Sequence, residues 1–396
     1  MLIDKLSKRM SAFPPSGIRK VSFAAADLEA QGHSIIHMEM GMPDFDTPEY
    51  IKAGCIRGIQ DGHVYYTASA GKQELRQAIA DKLQRENSLS YTADEIVTTI
   101  GVSAAIFAMF TALLDEGDEV LLPDPVYPPY RSLPVMMGAR TVSYALLEKN
   151  DFQPDLDEIE RKITARTKVL VLLSPSNPVG SVLTYRSLEG IAKIAIQHDL
   201  LVITDEIYER ILYDGAVHYS IATFPGMKER TFVLNGYSKT YAMTGWRLGY
   251  IAGPAEFMPY IYSLHGHMNT CAASFIQDAG ITALTEEHDE VQRMVTAYQQ
   301  RKDYLVQMLN AMDGLSCPNP KGAFYIFLNI TGLGMNSVKA ADFFLNQAHV
   351  ALVPGSVFGQ NGEGYLRMSF ACSMEEIVEA CRRMKKAIEQ RNRNTI

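Results

Sequence analysis

A chain of 396 residues with one tryptophan and five cysteines has little material for disulfide or metal chemistry. Cys55, Cys271, Cys317, Cys372 and Cys381 stand far apart, are odd in number and form no CxxC pair. A disulfide framework is thereby excluded, nothing has zinc-site spacing, and reduced thiols without a bound metal are expected. Runs of like charge are missing too: 37 basic residues against 45 acidic ones leave a net charge of −8 with no basic arm, so no nucleic-acid partner is expected. No apolar run reaches membrane-spanning length. The opening MLIDKLSKRMSAF has neither a long apolar core nor a small-residue cleavage site, so a secretory signal is not expected and the cytoplasm is. No GxGxxG follows the first strand, and GLGMN near Gly332 lacks the strand–helix context, which argues against a nicotinamide dehydrogenase.

What the chain does have is core. Hydrophobic residues make up 47% and charged residues 21%, a globular profile with enough length for a large α/β domain and a satellite. Short, nearly all-apolar, β-branched runs alternate with helical patterns: EIVTTI (95–100), DEVLLP, TKVLVLLS (167–174), LLVITDE, TFVLNGYS and RLGYIAGP. Such runs fit doubly buried strands of a mostly parallel sheet covered by helices on both faces. After about Thr285 the character changes. A long charged helical stretch, then GAFYIFLNI, VALVPGSVF and an amphipathic helix from Ser373 predict a smaller α+β unit. The helix–loop segment of the first forty or so residues is expected to join it.

Strand ends are where open α/β sheets place ligands, and four of them carry unusual residues. In IGVSAAIF, Gly101 permits a tight turn before a helix whose first N–H groups, at Val102 and Ser103, suit an anion; a plain turn capped by Ser103 explains the stretch equally well. In SPSNPVG, Asn177 lies between two prolines, in a rigid turn where a cis Asn177–Pro178 bond is open. In LLVITDEIYE, Asp205 ends a buried strand, where a carboxylate needs a cationic partner unless it caps a helix. In NGYSKTYAMTGWRLGY, Lys239 stands alone among small, aromatic and hydroxyl residues, with Arg247 beyond it. A partly desolvated amine loses proton affinity and becomes a nucleophile, whereas a lone lysine otherwise snorkels to the surface. An anion turn, a buried carboxylate, an isolated amine and an arginine together suggest an aromatic cofactor with a phosphate, a basic nitrogen and an aldehyde.

The order and separation of GMPDFDTP (41–48), YYTASAG, SPSNPVG, DEIYE, SKTYAMTGWRLGY and RMSFA at Arg367 resemble the fold-type I, pyridoxal-phosphate-dependent aminotransferases of class I/II, aspartate/aromatic-like, over nearly the whole chain. The resemblance implies a large domain (46–285) with a mostly parallel seven-stranded sheet, one strand antiparallel. It also implies a small α+β domain (286–396) joined by the N-terminal segment (1–45).

For the site, it implies that Lys239 binds the pyridoxal 5′-phosphate aldehyde and later acts as base and acid, and that Asp205 pairs with the pyridine nitrogen. Tyr208 and Asn177 bond the ring hydroxyl, while Tyr127 and Ile207 cover its two faces. Val102, Ser103, Ser238 and Arg247 hold the phosphate, and Tyr66 reaches it from a neighbouring subunit, so a homodimer with shared sites is implied. Arg367 clamps the substrate carboxylate, helped by Gly41, with Asn177 and Ile18 bordering the substrate. Read alone, Arg367 is a surface salt-bridge residue, and GMPDFDTP is a loop leading to a helix with Thr47 as N-cap and Pro48 in its first turn.

The implied activity is ping-pong transfer of the α-amino group of an L-amino acid to a 2-oxo acid such as 2-oxoglutarate. A β-eliminating C–S lyase would keep Lys239, Asp205 and Arg367. A cofactor-sensing regulator would carry a DNA-binding module ahead of the domain, whereas the chain opens almost at once on the family's N-terminal segment. Departures from the family pattern are Gly236, where relatives commonly carry serine and whose phosphate bond falls to Tyr237, Ser238 or water; Met42 in place of glutamate; and Ser103, where many aspartate-using relatives have lysine. Arg19, on the N-terminal segment that borders the substrate in the family, reads as a solvated charge or as a partner for a distal carboxylate, and Phe13, Tyr65, Tyr66 and Tyr127 either line an apolar pocket or simply pack.

Overall fold

The computed structural model describes residues 5–7, 9–10, 16–286 and 288–395, with side chains through 393; Phe13 lies outside the described residues. Seven strands form one sheet in the order Ile96–Thr99, Gly249–Ala252, Thr231–Gly236, Leu201–Asp205, Thr167–Leu173, Glu119–Asp124 and Arg140–Ala145. All pair in parallel except Gly249–Ala252, which runs antiparallel to both neighbours. The predicted mostly parallel sheet with one antiparallel strand is therefore present.

Period-two alternation sets the two layers of core. Val169 and Val171 pack with Val120, Ile203 and Phe232 against the helix Val102–Leu113, through Ala105, Ile106 and Met109. Leu170 and Leu172 point the other way, packing with Val202 against the helix Tyr185–Gln197, through Leu188, Ile191 and Ala195. Both faces are buried, which is why these strands lack polar alternation.

A second, three-stranded antiparallel sheet joins Val353–Pro354, Tyr365–Ser369 and Tyr325–Asn329. The long helices Glu290–Asn310 and Met374–Thr395 belong to the same C-terminal part of the chain. Near the N-terminus, the helix Gly17–Ala30 is capped by the Ser16 hydroxyl, which accepts the Arg19 N–H. It leads to Ile36–His37, which pairs in parallel with Val350–Ala351. The segment 38–42 is thus held beside the last strands, and its register brings Glu39 and Gly41 to the cleft described below.

One local expectation is corrected. The helix after GMPDFDTP is Glu49–Gln60 with Pro48, not Thr47, at its N-cap. The Thr47 hydroxyl instead donates to the Ala242 carbonyl at 2.8 Å, tying this loop to the turn that follows Lys239. Among the described residues no helix is long and apolar enough to cross a membrane.

Candidate active site

The carboxyl ends of the parallel strands deliver Asp205 and, past Gly236, Lys239 to one cleft. Strand register places Asp205 between Leu173 and Leu234. Asp205 is only 6% exposed, and its donors are neutral: the Tyr130 hydroxyl gives Oδ2 a 2.8 Å bond and the Ile207 N–H gives Oδ1 a 3.2 Å bond. Burial pushes its pKa up to about 6, against the pull of these donors and of Lys239. A carboxylate held this way lacks a close cation. The Ile207 N–H bond is a turn contact: residues 207–210 form a turn and not a helix, so Asp205 is not a helix N-cap.

Lys239 is partly buried, and its Nζ donates to the Gly41 carbonyl at 2.5 Å. Burial first, then the positive charges of Arg367 and Arg247, lower its pKa to about 8. Both effects disfavour the ammonium, so the isolated amine in NGYSKTYAM is a weakened base, not a snorkelling surface charge.

The anion turn has the predicted geometry with one change: the helix Val102–Leu113 is capped by Gly101, at φ +85°, not by Ser103. A Cβ at this glycine would fall 2.4 Å from Arg247 Nη2, so only glycine lets the guanidinium lie across the helix start. Arg247 is exposed, with Nη1 on the Thr244 carbonyl at 2.9 Å and Nη2 on the Ile100 carbonyl at 3.4 Å. The first-turn donors Ala104 and Ala105 bond to the Gly101 carbonyl, while the N–H groups of Val102 and Ser103 find no acceptor among the described residues. Free N–H groups, a helix start and an arginine make an anion cradle. Burial raises the pKa of the Tyr127 phenol, with Asp205 adding to it and Ser103, Arg367 and Arg247 opposing it. Ser238 is buried beside Lys239.

Gly236 explains its own departure from the family pattern. A Cβ there would meet Gly249 Cα and the Leu248 carbonyl at 2.9 Å each, and a Cβ on Gly249 would meet the Gly101–Val102 backbone at 2.9 Å. Three glycines stack the two strands under the cradle with no room for a serine. Tyr237 is buried against Tyr241, with ring centroids 5.7 Å apart, and against the helix Ser274–Thr285 at Gly280, and its OH has no partner among the described residues.

Arg367 is 1% exposed and forms no ion pair among the described residues, which overturns the surface reading. Its Nη1 donates to Asn177 Oδ1 at 3.2 Å and its Nη2 to the Glu39 carbonyl. Nε is buried without a partner, and the guanidinium lies over the rings of Tyr325, at 4.6 Å, and Phe358, at 5.0 Å. A buried guanidinium without a carboxylate is costly unless a ligand supplies one. The Asn177–Pro178 bond is cis. Tyr208 is buried, and its hydroxyl lies 2.8 Å from that of Tyr325.

Lys239, Asp205, Tyr208, Asn177, Tyr127, Arg247, Arg367, Gly41 and the Val102–Ser103 turn are thus linked by contacts or mutual fields. Ile207 is buried next to Asp205. Ile18 packs on the apolar cluster containing Val353 and Phe358. Tyr66 and Tyr65 are 85% and 81% exposed, and Arg19 is exposed. Tyr130, Tyr325, Phe358 and Glu39 were not foreseen. The sequence signal for Tyr130 is its spacing of three from Tyr127 at a helix start; Tyr325 sits inside a strand-like apolar run and gives none.

Two other features are distinct from this cleft. Behind Asp205 and Tyr208, the potential metal ligands Glu206, Glu209 and His218 come together, but Lys82 ion-pairs with Glu209, and Ser220 and Thr204 donate to Glu206. Burial opposes charge on His218, yet Glu206, 3.1 Å away, and Glu209 hold its pKa above the usual value. Lys82 and His218 thus face the two carboxylates within one buried cluster. A groove of about 810 Å³ lined by Tyr50, Arg85, Arg210, Tyr241 and His288, among others, contains none of the predicted site residues.

A doubly wound sheet with a lysine of lowered pKa and a buried acid at its carboxyl edge, facing the buried Arg367 of the small sheet, has the layout of an α/β ligand cleft. The model of the family "Aminotransferase class I and II" matches residues 34–384, and the chain belongs to that family. It is 40% identical to the aspartate aminotransferase of Pyrococcus abyssi over 389 residues, 98% of this chain and 99% of the relative. It is 39% identical to aromatic-amino-acid aminotransferase 2 of Thermococcus litoralis, with the same coverage. The aspartate aminotransferase of Thermus thermophilus, solved with maleate, superimposes with a TM-score of 0.92 at 38% identity, covering 96% of this chain and 99% of that one. The protein is a transaminase of fold type I.

Proposed function

We propose that this transaminase uses pyridoxal 5′-phosphate on Lys239 to move the α-amino group of an L-amino acid to a 2-oxo acid, 2-oxoglutarate among the acceptors, in a ping-pong cycle. The observation that carries the reading is the charge balance of the cleft. Two guanidinium groups, Arg367 and Arg247, add to burial in lowering the pKa of Lys239, and the nearby acid, Asp205, is itself pushed towards neutrality. The chain's own groups therefore leave positive charge for a phosphate at one end and a carboxylate at the other, with a basic ring nitrogen to face Asp205. The unpartnered Arg367 Nε and the free N–H groups of Val102 and Ser103 fit those two anions.

When bound, the cofactor supplies a protonated heterocycle that accepts electron density released at the substrate Cα. The residues do the rest. Asp205, held by Tyr130, keeps the proton on the ring nitrogen. Tyr208 and Asn177 hydrogen-bond the ring oxygen, and Tyr127 and Ile207 hold the ring between them. Arg247, Ser238 and the Val102–Ser103 turn fix the phosphate. Arg367 orients the substrate by its carboxylate, with Gly41 and Ile18 at the pocket's border. Lys239 Nζ, with its lowered pKa, would take the substrate Cα proton and return it to the C4′ carbon of the cofactor.

The exposed Tyr66, with Tyr65 and the 55% exposed Val64 beside it, supports a homodimer in which Tyr66 completes the neighbouring phosphate site. Residues 46–285 are read as the cofactor-binding domain, with 286–396 and the segment 1–45 as the small domain. A half-reaction screen tests the reading. Each amino acid is mixed with the yellow cofactor-loaded protein and its visible absorption is followed. Loss of the yellow band with release of the matching 2-oxo acid is expected for the donor, and no response to any amino acid would contradict transamination through this site.

A further inference from the structure

Tyr325 is a site residue that no motif carries. It lies on the strand Tyr325–Asn329 of the small sheet, 1% exposed, and touches two functional groups from one ring. Its hydroxyl is 2.8 Å from the Tyr208 hydroxyl. Its face supports the Arg367 guanidinium, whose carbon lies 4.6 Å from the ring centroid. Arg367 and Tyr325 sit on neighbouring strands of one sheet, where Arg367 is paired with Phe327 and Tyr325 with Ser369. The ring is further held by Phe324, at 4.9 Å, and lies edge-on to Tyr208 at 5.8 Å.

We infer that Tyr325 is a positioning residue with two separable tasks: its hydroxyl orients the Tyr208 proton, and its ring orients Arg367. The inference rests on the proposed cofactor site. A phenol has one proton. In the chain alone either hydroxyl is free to donate. If Tyr208 spends its proton on the cofactor's ring oxygen, the 2.8 Å contact can persist only with Tyr325 donating and Tyr208 accepting. Accepting that bond polarises the Tyr208 O–H and strengthens its own donation. A stronger donor favours the anionic ring oxygen, and the neighbouring lysine-linked nitrogen then releases its proton at lower pH. The ring's task is different in kind. It presents a π face to a guanidinium that has no carboxylate of its own, and so fixes the plane of the fork before substrate arrives. The small sheet thereby contributes to both ends of the site through one side chain.

The test uses the cofactor-loaded protein and two readouts. In Tyr325→Phe the ring stays and the hydroxyl goes. The pH midpoint of the visible band is expected to rise by about half a unit, with the KM for the amino acid within about twofold of the parent. Tyr208→Phe is expected to raise the midpoint further, and the double variant no further than Tyr208→Phe alone, because the Tyr325 hydroxyl acts only through Tyr208. Tyr325→Leu removes the ring and is expected to raise KM about tenfold as well. A Tyr325→Phe protein that titrates like the parent, fully additive shifts in the double variant, or an unchanged KM in a folded Tyr325→Leu protein would each overturn the inference. Absence of a lysine-linked band in the parent would overturn the cofactor reading, and the inference with it.

Discussion

The Tyr130 hydroxyl donates to Asp205 Oδ2 at 2.8 Å, a bond between two buried side chains 75 positions apart. Tyr130 is fully buried, edge-on to Phe110 at 6.1 Å, so its phenol is held in place by core packing. A buried carboxylate facing a ring nitrogen has two oxygens to satisfy, and this phenol takes one, leaving the other for the Ile207 N–H and the ligand. Tyr130→Phe keeps the packing and removes the donor. A hydrogen bond to a charged group contributes about 1.5 kcal/mol or more, so cofactor affinity should fall roughly tenfold. Titration of the cofactor-free protein with pyridoxal 5′-phosphate measures it; unchanged affinity would show that the bond does not serve the site.

Asp205 also makes the cofactor-free protein sensitive to pH. Its folded pKa of about 6 lies above its ordinary value of 3.8, so the folded state binds more protons between those values. Its contribution to stability is therefore fully present below the lower value and is lost as pH rises through the higher one. Asp205→Asn removes the group whose ionisation costs the fold. The cofactor-free variant should be more stable than its parent by about 2 kcal/mol at pH 7.5, with the gap roughly halved at pH 5 and closing only below pH 4. Denaturant unfolding at the two pH values decides it, and an equal gap at both would mean the effect is packing, not ionisation.

A serine at Gly236, the residue expected there from the family resemblance, should harm this chain. With Gly249 Cα and the Leu248 carbonyl 2.9 Å from any Cβ, Gly236→Ser forces the two strands apart beneath the Gly101 turn. Overpacking of this kind costs about 1–3 kcal/mol. Both melting temperature and cofactor affinity should drop. A variant that binds cofactor more tightly would show that the strand pair yields and that the missing hydroxyl, not the close approach, governs the position.

Arg367→Lys separates charge from shape. Lysine keeps the cation but loses the planar fork that meets Asn177 Oδ1, the Glu39 carbonyl and the Tyr325 face together. A loss of about 100-fold in kcat/KM is expected, mostly through KM. Steady-state kinetics over a range of amino-acid concentrations read the split; a fall confined to kcat would place Arg367 nearer the proton transfer than the carboxylate.

The sequence made the buried parts of this fold legible and left its edges obscure. Thr167–Leu173 is almost wholly buried, so its apolar run stands out. Arg140–Ala145 pairs with the sheet on one side only and is half-exposed along its length, so RTVSYA has no reason to be apolar and carries no strand signal. The same logic divides the site. Lys239, Asp205 and Asn177 follow strand ends, and their types are chemically conspicuous there. Tyr325 and Tyr130 act through contacts spanning 117 and 75 positions, and an aromatic residue in an apolar run looks like packing until its hydroxyl is seen to face another. Gly236 was read as a lost hydrogen bond because the approach of Gly249 belongs to strand pairing, which a linear pattern does not encode.

Every role proposed for the cleft turns on which amine carries the cofactor. Reducing the loaded protein with borohydride fixes that attachment, and peptide mass mapping then locates it. The account predicts the cofactor mass on the peptide containing Lys239 and its loss in Lys239→Ala. Attachment to a different lysine, or a visible band that survives in Lys239→Ala, would contradict it.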